Sequence, residues 1–279
     1  MLRIGQYNTL CVTKFVDYGL YLDDTEGGEI LLPKRYIPRD ASVGDNLEVF
    51  IYVDSDDTLI ATTEKPYACV GEAVYLNVSA VNKVGAFVDW GLPKEVLVPF
   101  AEQHKKMQVG RSYIVYLYLD KYADRIVASS KINKFIKDEA DGYEKNQSVN
   151  LLIAGKTELG YKAIINNKHF GVLYESDVFQ NLKYGQKVNG YIKNIRPDKK
   201  IDLTLQLQNK NTRDDLSNSI LKHLKENNGE SFLTDKSKPE DIYKQYSASK
   251  SNYKKALGGL YKNKLIVIHK DKIQLVKDG

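Results

Sequence analysis

The chain has 279 residues, a hydrophobic content of 42% and a formal net charge of +5, and its length is enough for two to four small domains at roughly 50–200 residues each. No run approaches the ~20 apolar residues of a membrane span, and the opening MLRIGQYNTLCV lacks the charged start and apolar core of a signal peptide, so a cytoplasmic setting and no membrane partner are expected. Cys11 and Cys69 make neither a disulfide framework nor a metal-ligand spacing, His104, His169, His223 and His269 are scattered, and no Ser/His/Asp grouping, P-loop or HExxH occurs, so neither a metal, a cofactor nor catalysis is expected.

Charge is graded along the chain. Residues 1–66 carry a balance of −6, residues 67–140 +2, residues 141–212 +4 and residues 213–279 +5. A polyanionic partner is therefore favoured by the C-terminal half. The acidic start would repel nucleic acid and suits a protein partner or simply solubility.

Residues 1–64, 67–132 and 145–208 read as three copies of one unit. KFVDYGLYLD at 14–23 aligns with KVGAFVDW at 83–90 when Gly19 is set on Gly85, and a second Gly follows 25 residues later in each copy, at Gly44, Gly110 and, after Gly160, at Gly185. Each copy closes on a β-like run, LIATT, RIVASSK or KIDLTLQ. Runs of alternating polarity separated by Gly, Asp or Asn turns number about five per copy, which predicts a small closed five-stranded barrel of the OB type, repeated in tandem. Glycine inside a strand marks a bend or a close approach, and a bend in strand two is expected. The Glu64-Lys65-Pro66 linker separates the first two copies, and residues 133–142 separate the second and third with room for a helical turn.

Aromatic residues recur near the first Gly: Tyr18 and Tyr21, then Phe87, then Tyr161. Such side chains are either barrel core or platforms for bases, each stacked base being worth about 1–3 kcal/mol. Trp90 has no aromatic counterpart in the other copies and reads as a loop or packing residue. Lys83, Arg125, Lys162, Lys193, Arg196, Lys199 and Lys200 are the cations placed to follow a phosphate backbone, the last three in the turn before the final strand of copy three. The second copy has Asp120 to Arg125 in that turn, and the first has the acidic Asp54-Ser-Asp-Asp57, a polar hairpin turn rather than a metal site.

From residue 212 the period changes to that of helices. Thr212-Arg-Asp-Asp215 has the capping-box form ahead of Leu216, Ile220 and Leu224, and Asn227-Asn228-Gly229 ends that helix. Ser237-Lys-Pro-Glu240 opens a second helix with Ile242, Tyr243 and Tyr246 inward. A third starts near Ser249 and turns Tyr253, Ala256, Leu257, Leu260 and Tyr261 to one face, with Ser251, Lys254, Lys255 and Lys262 opposite and Lys250 and Lys264 flanking. A tight hairpin at 264–276 follows. Residues 212–279 thus predict an α+β winged helix whose third helix contacts nucleic acid, the alternatives being a solvated lysine face or a protein contact.

Val84-Gly-Ala-Phe-Val88, Val109-Gly110, Leu119-Asp120 and Arg125-Ile-Val-Ala-Ser129 with Lys131 resemble the S1 RNA-binding family. The order of three such barrels and a winged helix, with IRPDKKIDLTLQ at 195–206 and YKKALGGLYKNKLI at 253–266, resembles the bacterial conserved virulence factor B family. The resemblance implies a non-catalytic, single-stranded-RNA-binding regulator acting after transcription or in translation. Where S1 domains often carry a His after strand three, this chain has Pro33, Pro99 and Tyr174; the aromatic before the Gly is Val84 in copy two and Leu159 in copy three, and Lys162 takes the second stacking position there. No copy holds the full set, so binding is expected to be shared between the third barrel and the winged helix. A duplex-DNA regulator working through the winged helix and a protein-binding scaffold on a ribonucleoprotein are the alternatives.

Overall fold

Each repeat folds its alternating runs into five strands that close on themselves. The first barrel is built from β1 (Tyr7–Val16), β2 (Gly19–Asp23), β3 (Glu29–Pro33), β4 (Asn46–Val53) and β5 (Leu59–Thr62), in the closed order β1-β2-β3-β5-β4. The second repeats that order with β6 (Ala73–Val81), β7 (Gly85–Asp89), β8 (Val96–Pro99), β9 (Ser112–Asp120) and β10 (Arg125–Ser129), and the third with β11 (Ser148–Thr157), β12 (Gly160–Ile165), β13 (His169–Tyr174), β14 (Lys187–Ile195) and β15 (Ile201–Thr204). This computed structural model describes residues 2–24, 27–55, 57–120, 125–178, 181–206 and 210–276, which group into two units, Met1–Phe135 and Ile136–Gly279. The turn at residues 121–124 and Asp56 of the acidic hairpin lie outside the described residues.

The two glycines of each repeat do different work, and neither bends strand two. A Cβ on Gly19, Gly85 or Gly160 would lie 2.4, 2.3 or 2.1 Å from the carbonyl oxygen of Leu32, Val98 or Leu173 on strand three. The requirement is close approach of two backbones. The bend falls in strand one instead, where the register slips between Val12 and Lys14, Val78 and Ala80, and Ile153 and Gly155, leaving Thr13, Ser79 and Ala154 as bulge residues. The second glycine has positive φ in every copy, 92° at Gly44, 77° at Gly110 and 81° at Gly185. Its N–H donates to the carbonyl of Val12, Val78 or Ile153, the residue just before the bulge, at 2.8–2.9 Å. One device, a left-handed turn hydrogen-bonded to a bulge, thus sets strand four against strand one three times.

Within the first unit the two barrels share apolar surface. Trp90 is 2% exposed and sets its ring edge-on against Phe50 at 5.6 Å and Tyr52 at 6.4 Å, both on β4 of the first barrel. Its Nε1 donates to the Lys94 carbonyl at 2.6 Å, which satisfies the one polar atom of the indole. Trp90 is a packing residue whose partners belong to the neighbouring repeat. That explains why no other copy needs an aromatic there. Around it Arg125 pairs with Asp57, Lys94 lies 3.9 Å from the same carboxylate, and Lys94 Nζ donates to the Asp54 carbonyl.

In the second unit α1 (Lys210–Glu226), β16 (Glu230–Ser231), α2 (Pro239–Tyr246), α3 (Lys250–Lys262), β17 (Ile266–Ile268) and β18 (Ile273–Leu275) form three helices and a sheet of order β16-β18-β17. Ser249 caps α3, its Oγ accepting from Asn252 N–H at 3.2 Å. The other two capping boxes are not used. α1 begins at Lys210, so Thr212 lies inside it, and α2 is preceded by Lys238 with Pro239 at its first position while Ser237 Oγ accepts from Thr234 N–H in the loop. Tyr253, Ala256, Leu257 and Leu260 are buried as the spacing requires, but Tyr261 is 58% exposed, because the core ends one position short of it on the helix circumference.

Replacing Trp90 by Ala removes a ring buried between two barrels, and a loss of roughly 3–5 kcal/mol is expected. Chemical denaturation of the full chain measures it; a cost below about 1 kcal/mol would show that the contact does not hold the barrels together.

Candidate nucleic-acid interface

Strand two presents its outward side chains at two positions around the glycine. The residue two beyond it is Tyr21, Phe87 or Lys162, paired across to Leu31, Leu97 or Val172 on strand three, which pair in turn with Ile60, Val127 or Asp202 on strand five. The residue before it is Tyr18, Val84 or Leu159, each more than half exposed. In the first barrel the Tyr18 and Tyr21 hydroxyls lie 3.0 Å apart with their rings at 85°, and that hydrogen bond pushes the Tyr21 phenol above its ordinary pKa. Lys14 reaches to 4.8 Å from the Tyr21 ring centre and pairs with Glu29 at 2.6 Å. The hydrogen bond from Lys14 lowers the Glu29 carboxyl below its usual range.

The bulge on strand one fixes the aromatic position. Thr13 Oγ1 donates to the Tyr21 carbonyl at 3.1 Å and Ser79 Oγ to the Phe87 carbonyl at 3.0 Å. Ala154 stands at the bulge of the third barrel and has no hydroxyl to give. These hydroxyls escaped the sequence reading, although each lies six residues before the glycine of strand two.

The third barrel differs on this face. Tyr161, expected as a stacking residue, is 7% exposed and belongs to the barrel core with Ala163, Ile165 and Leu173. It stands one residue after Gly160, and in a strand a shift of one residue reverses the face. Lys162 takes the outward position, its Nζ 3.5 Å from the Phe170 ring centre and 3.6 Å from Asp138. Residues 136–143 run along this side of the barrel as a strap. Lys137 N–H donates to the Lys168 carbonyl at 3.1 Å, Phe170 N–H to the Lys137 carbonyl at 2.8 Å, and the Tyr143 hydroxyl meets His169 Nδ1 at 3.2 Å. Ile164 and Phe170, paired on adjacent strands, are buried here, whereas the equivalent pair in the first barrel is Asp23 and Glu29.

The basic residues of the third barrel are mostly spoken for. Lys193 pairs at 2.5 Å with Asp177, whose side chain is 1% exposed. Arg196 grips Asp202 through Nε at 2.8 Å and Nη2 at 2.7 Å and also donates to the Tyr174 hydroxyl. Lys199 meets Asp141 at 3.0 Å and Lys200 meets Asp198 at 3.4 Å. In the second barrel Lys83 is exposed in the turn before Gly85, and Arg125 is taken by Asp57.

On α3, Lys254, Lys255 and Lys262 are exposed, with Lys264 just beyond the helix, and no carboxylate lies within residues 250–262. Lys250 and Ser251 are half-buried in the first turn. That turn is held by Gln206, which follows β15: its Oε1 accepts from Ser249 N–H and Asn252 Nδ2, each at 3.2 Å, and its Nε2 donates to the Ser247 carbonyl at 2.7 Å. The 3-10 turn Glu175–Asp177 also lies against α3. Among the described residues no cluster of His, Cys, Asp or Glu is placed to hold a metal, and no helix is long and apolar enough to cross a membrane.

An S1 domain model matches residues 4–64 and 70–131, and a CvfB-like winged helix domain model matches residues 218–275. The uncharacterized protein YitL of Bacillus subtilis is 28% identical over 275 residues, covering 94% of this chain and 90% of that protein. Conserved virulence factor B of Staphylococcus saprophyticus is 28% identical over 278 residues, covering 92% and 89%. The chain carries S1 domains and a CvfB-like winged helix domain and is similar to conserved virulence factor B over most of its length. A solved structure of a multidomain protein with nucleic acid binding domains from Streptococcus pneumoniae is 24% identical, covers 98% of both chains and superposes with a TM-score of 0.42. S1 domains and the winged helix are nucleic-acid-binding domains.

Two outcomes follow from the ion pairs. Lys193→Ala leaves the Asp177 carboxylate buried without its cation and is expected to cost on the order of 2–3 kcal/mol in denaturation experiments; an unchanged stability would show that Lys193 is a free surface cation. Burial, with Lys137 and Lys168 nearby, lowers the His169 imidazole below its ordinary 6.5. Its contribution is therefore whole above the unfolded pKa and lost as pH falls through the depressed value. Stability measured from pH 7 downward should fall across that window, and His169→Gln should flatten the fall.

Proposed function

We infer that this protein binds single-stranded RNA through base stacking on its first two barrels and phosphate contacts on the winged helix, as a non-catalytic regulator of gene expression. The observation that carries the reading is the pair Tyr21 and Phe87, which hold the same outward position on strand two of two barrels, each with its carbonyl tied to a bulge hydroxyl. Fixed aromatic platforms of this kind suit unpaired bases, which every sequence can supply.

Charge comes from elsewhere in the chain. Lys254, Lys262 and Lys264 supply exposed positive surface, and a single chain joining stacking and charged sites raises their effective concentration for one strand. The third barrel takes a smaller share than its basic count suggests, because Lys193, Arg196, Lys199 and Lys200 already have carboxylate partners.

Duplex DNA is disfavoured by the first turn of α3. A recognition helix reads base edges with its N-terminal residues. Here those residues are bonded to Gln206 and packed beside the third barrel.

Fluorescence anisotropy with a labelled oligouridylate tests the reading on the full chain. Tyr21→Ala and Phe87→Ala should each weaken binding roughly fivefold or more while leaving the circular dichroism spectrum unchanged, and duplex DNA of matched length should bind less tightly than the single strand. Equal affinity of wild type and both variants, or a preference for the duplex, would overturn it.

A further inference from the structure

A groove of about 750 Å³ opens on the winged-helix domain where α1 ends and α2 begins, lined by His223, Asn227, Phe232, Lys236, Lys238 and Asp241 among others. Phe232 is 76% exposed, the most exposed large apolar side chain among the described residues. Its position is built rather than loose. Ser231 before it is buried and pairs with Ile273 across the sheet, and the carbonyl of Leu233 after it accepts from the fully buried Tyr253 hydroxyl at 2.8 Å. Ser231 Oγ accepts from Leu233 N–H, Thr234 Oγ1 from Lys236 N–H and Ser237 Oγ from Thr234 N–H, at 3.3, 3.2 and 2.8 Å. With both neighbours held by the fold, the ring of Phe232 stands outward at the bend that follows β16. The ring lies outside the apolar core of the domain and lines the groove.

The surroundings of that ring fit a nucleotide. Lys236 and Lys238 make no ion pair among the described residues. Of the two carboxylates in the lining, Glu230 is held by Lys272 at 2.9 Å and Gln274 at 3.3 Å, and Asp241 sits in the first turn of α2, where helix N–H groups offset its charge. Asn228 adds an amide to the lining, while the Asn227 amide is held by the His223 carbonyl at 2.8 Å. An aromatic face, two available ammonium groups and a side-chain amide supply what a base, a phosphate and a base edge need.

We propose that this groove is a second single-strand site, in which one RNA base stacks on Phe232 and the adjoining phosphates meet Lys236 and Lys238. The proposal rests on the RNA-binding reading above and adds to it a site separate from strand two of the barrels and from the outward face of α3.

Titrating the full-length chain with the same labelled oligouridylate tests it. Phe232→Ala should weaken binding about fivefold or more with no loss of thermal stability, since the ring contributes nothing to the core. Phe232→Trp should bind within about twofold of wild type and show a fluorescence quench on RNA addition that exceeds the wild-type signal from Trp90. Wild-type affinity for Phe232→Ala, alongside a wild-type chain that binds RNA, would overturn the groove alone and leave it to a protein ligand. A wild-type chain that binds no RNA would overturn the groove and the underlying reading together.

Discussion

Everything in the barrels depends on how near two backbones can come. At Gly19, Gly85 and Gly160 strand two lies so close to the strand-three carbonyl that a methyl group has no room. Closure there brings strand three beside strand five, and Tyr21, Leu31 and Ile60, or Phe87, Leu97 and Val127, fall in register across three strands. The bulge of strand one then matters twice. It lets the sheet curl, and its freed hydroxyl reaches the carbonyl of the aromatic residue on strand two.

From that shared frame the repeats have diverged in what their faces meet. The first barrel keeps two tyrosines outward and spends the far side of its sheet, Phe50 and Tyr52, on the second barrel's Trp90. The second keeps Phe87 outward. The third has lost the aromatic and the hydroxyl together and wears a segment of its own chain, residues 136–143, on the corresponding side. A part-exposed acidic pair, Asp23 and Glu29, in one copy and a buried Ile164–Phe170 pair in another occupy the same position of the strand pairing.

Much of this was legible in the residues. Equal glycine spacing and period-2 runs gave the three barrels, because a repeated backbone requirement leaves a repeated residue. The change to helical spacing after the third barrel gave the C-terminal helices, and the start of the third near Ser249 was readable with them. What could not be read were choices made by tertiary context. Tyr161 looks like Tyr21 in composition and differs from it by one position of register. Ser237 has the form of a cap and is drawn into the loop by Thr234. The strap, the Gln206 contacts and the anchoring of Phe232 join residues distant in sequence, for which a single sequence carries no pattern.

The ion pairs of the third barrel change what its charge is worth. When a polyanion binds a bare lysine, the gain comes from releasing small ions condensed on the phosphates, and about 0.7 of an ion is released for each single-strand phosphate neutralised. A lysine already facing Asp177 or Asp141 must first give up a carboxylate that the chain itself holds and cannot release to solution. Those aspartates act as tethered counterions. The formal positive balance of the C-terminal half thus overstates the charge it holds free for a polyanion.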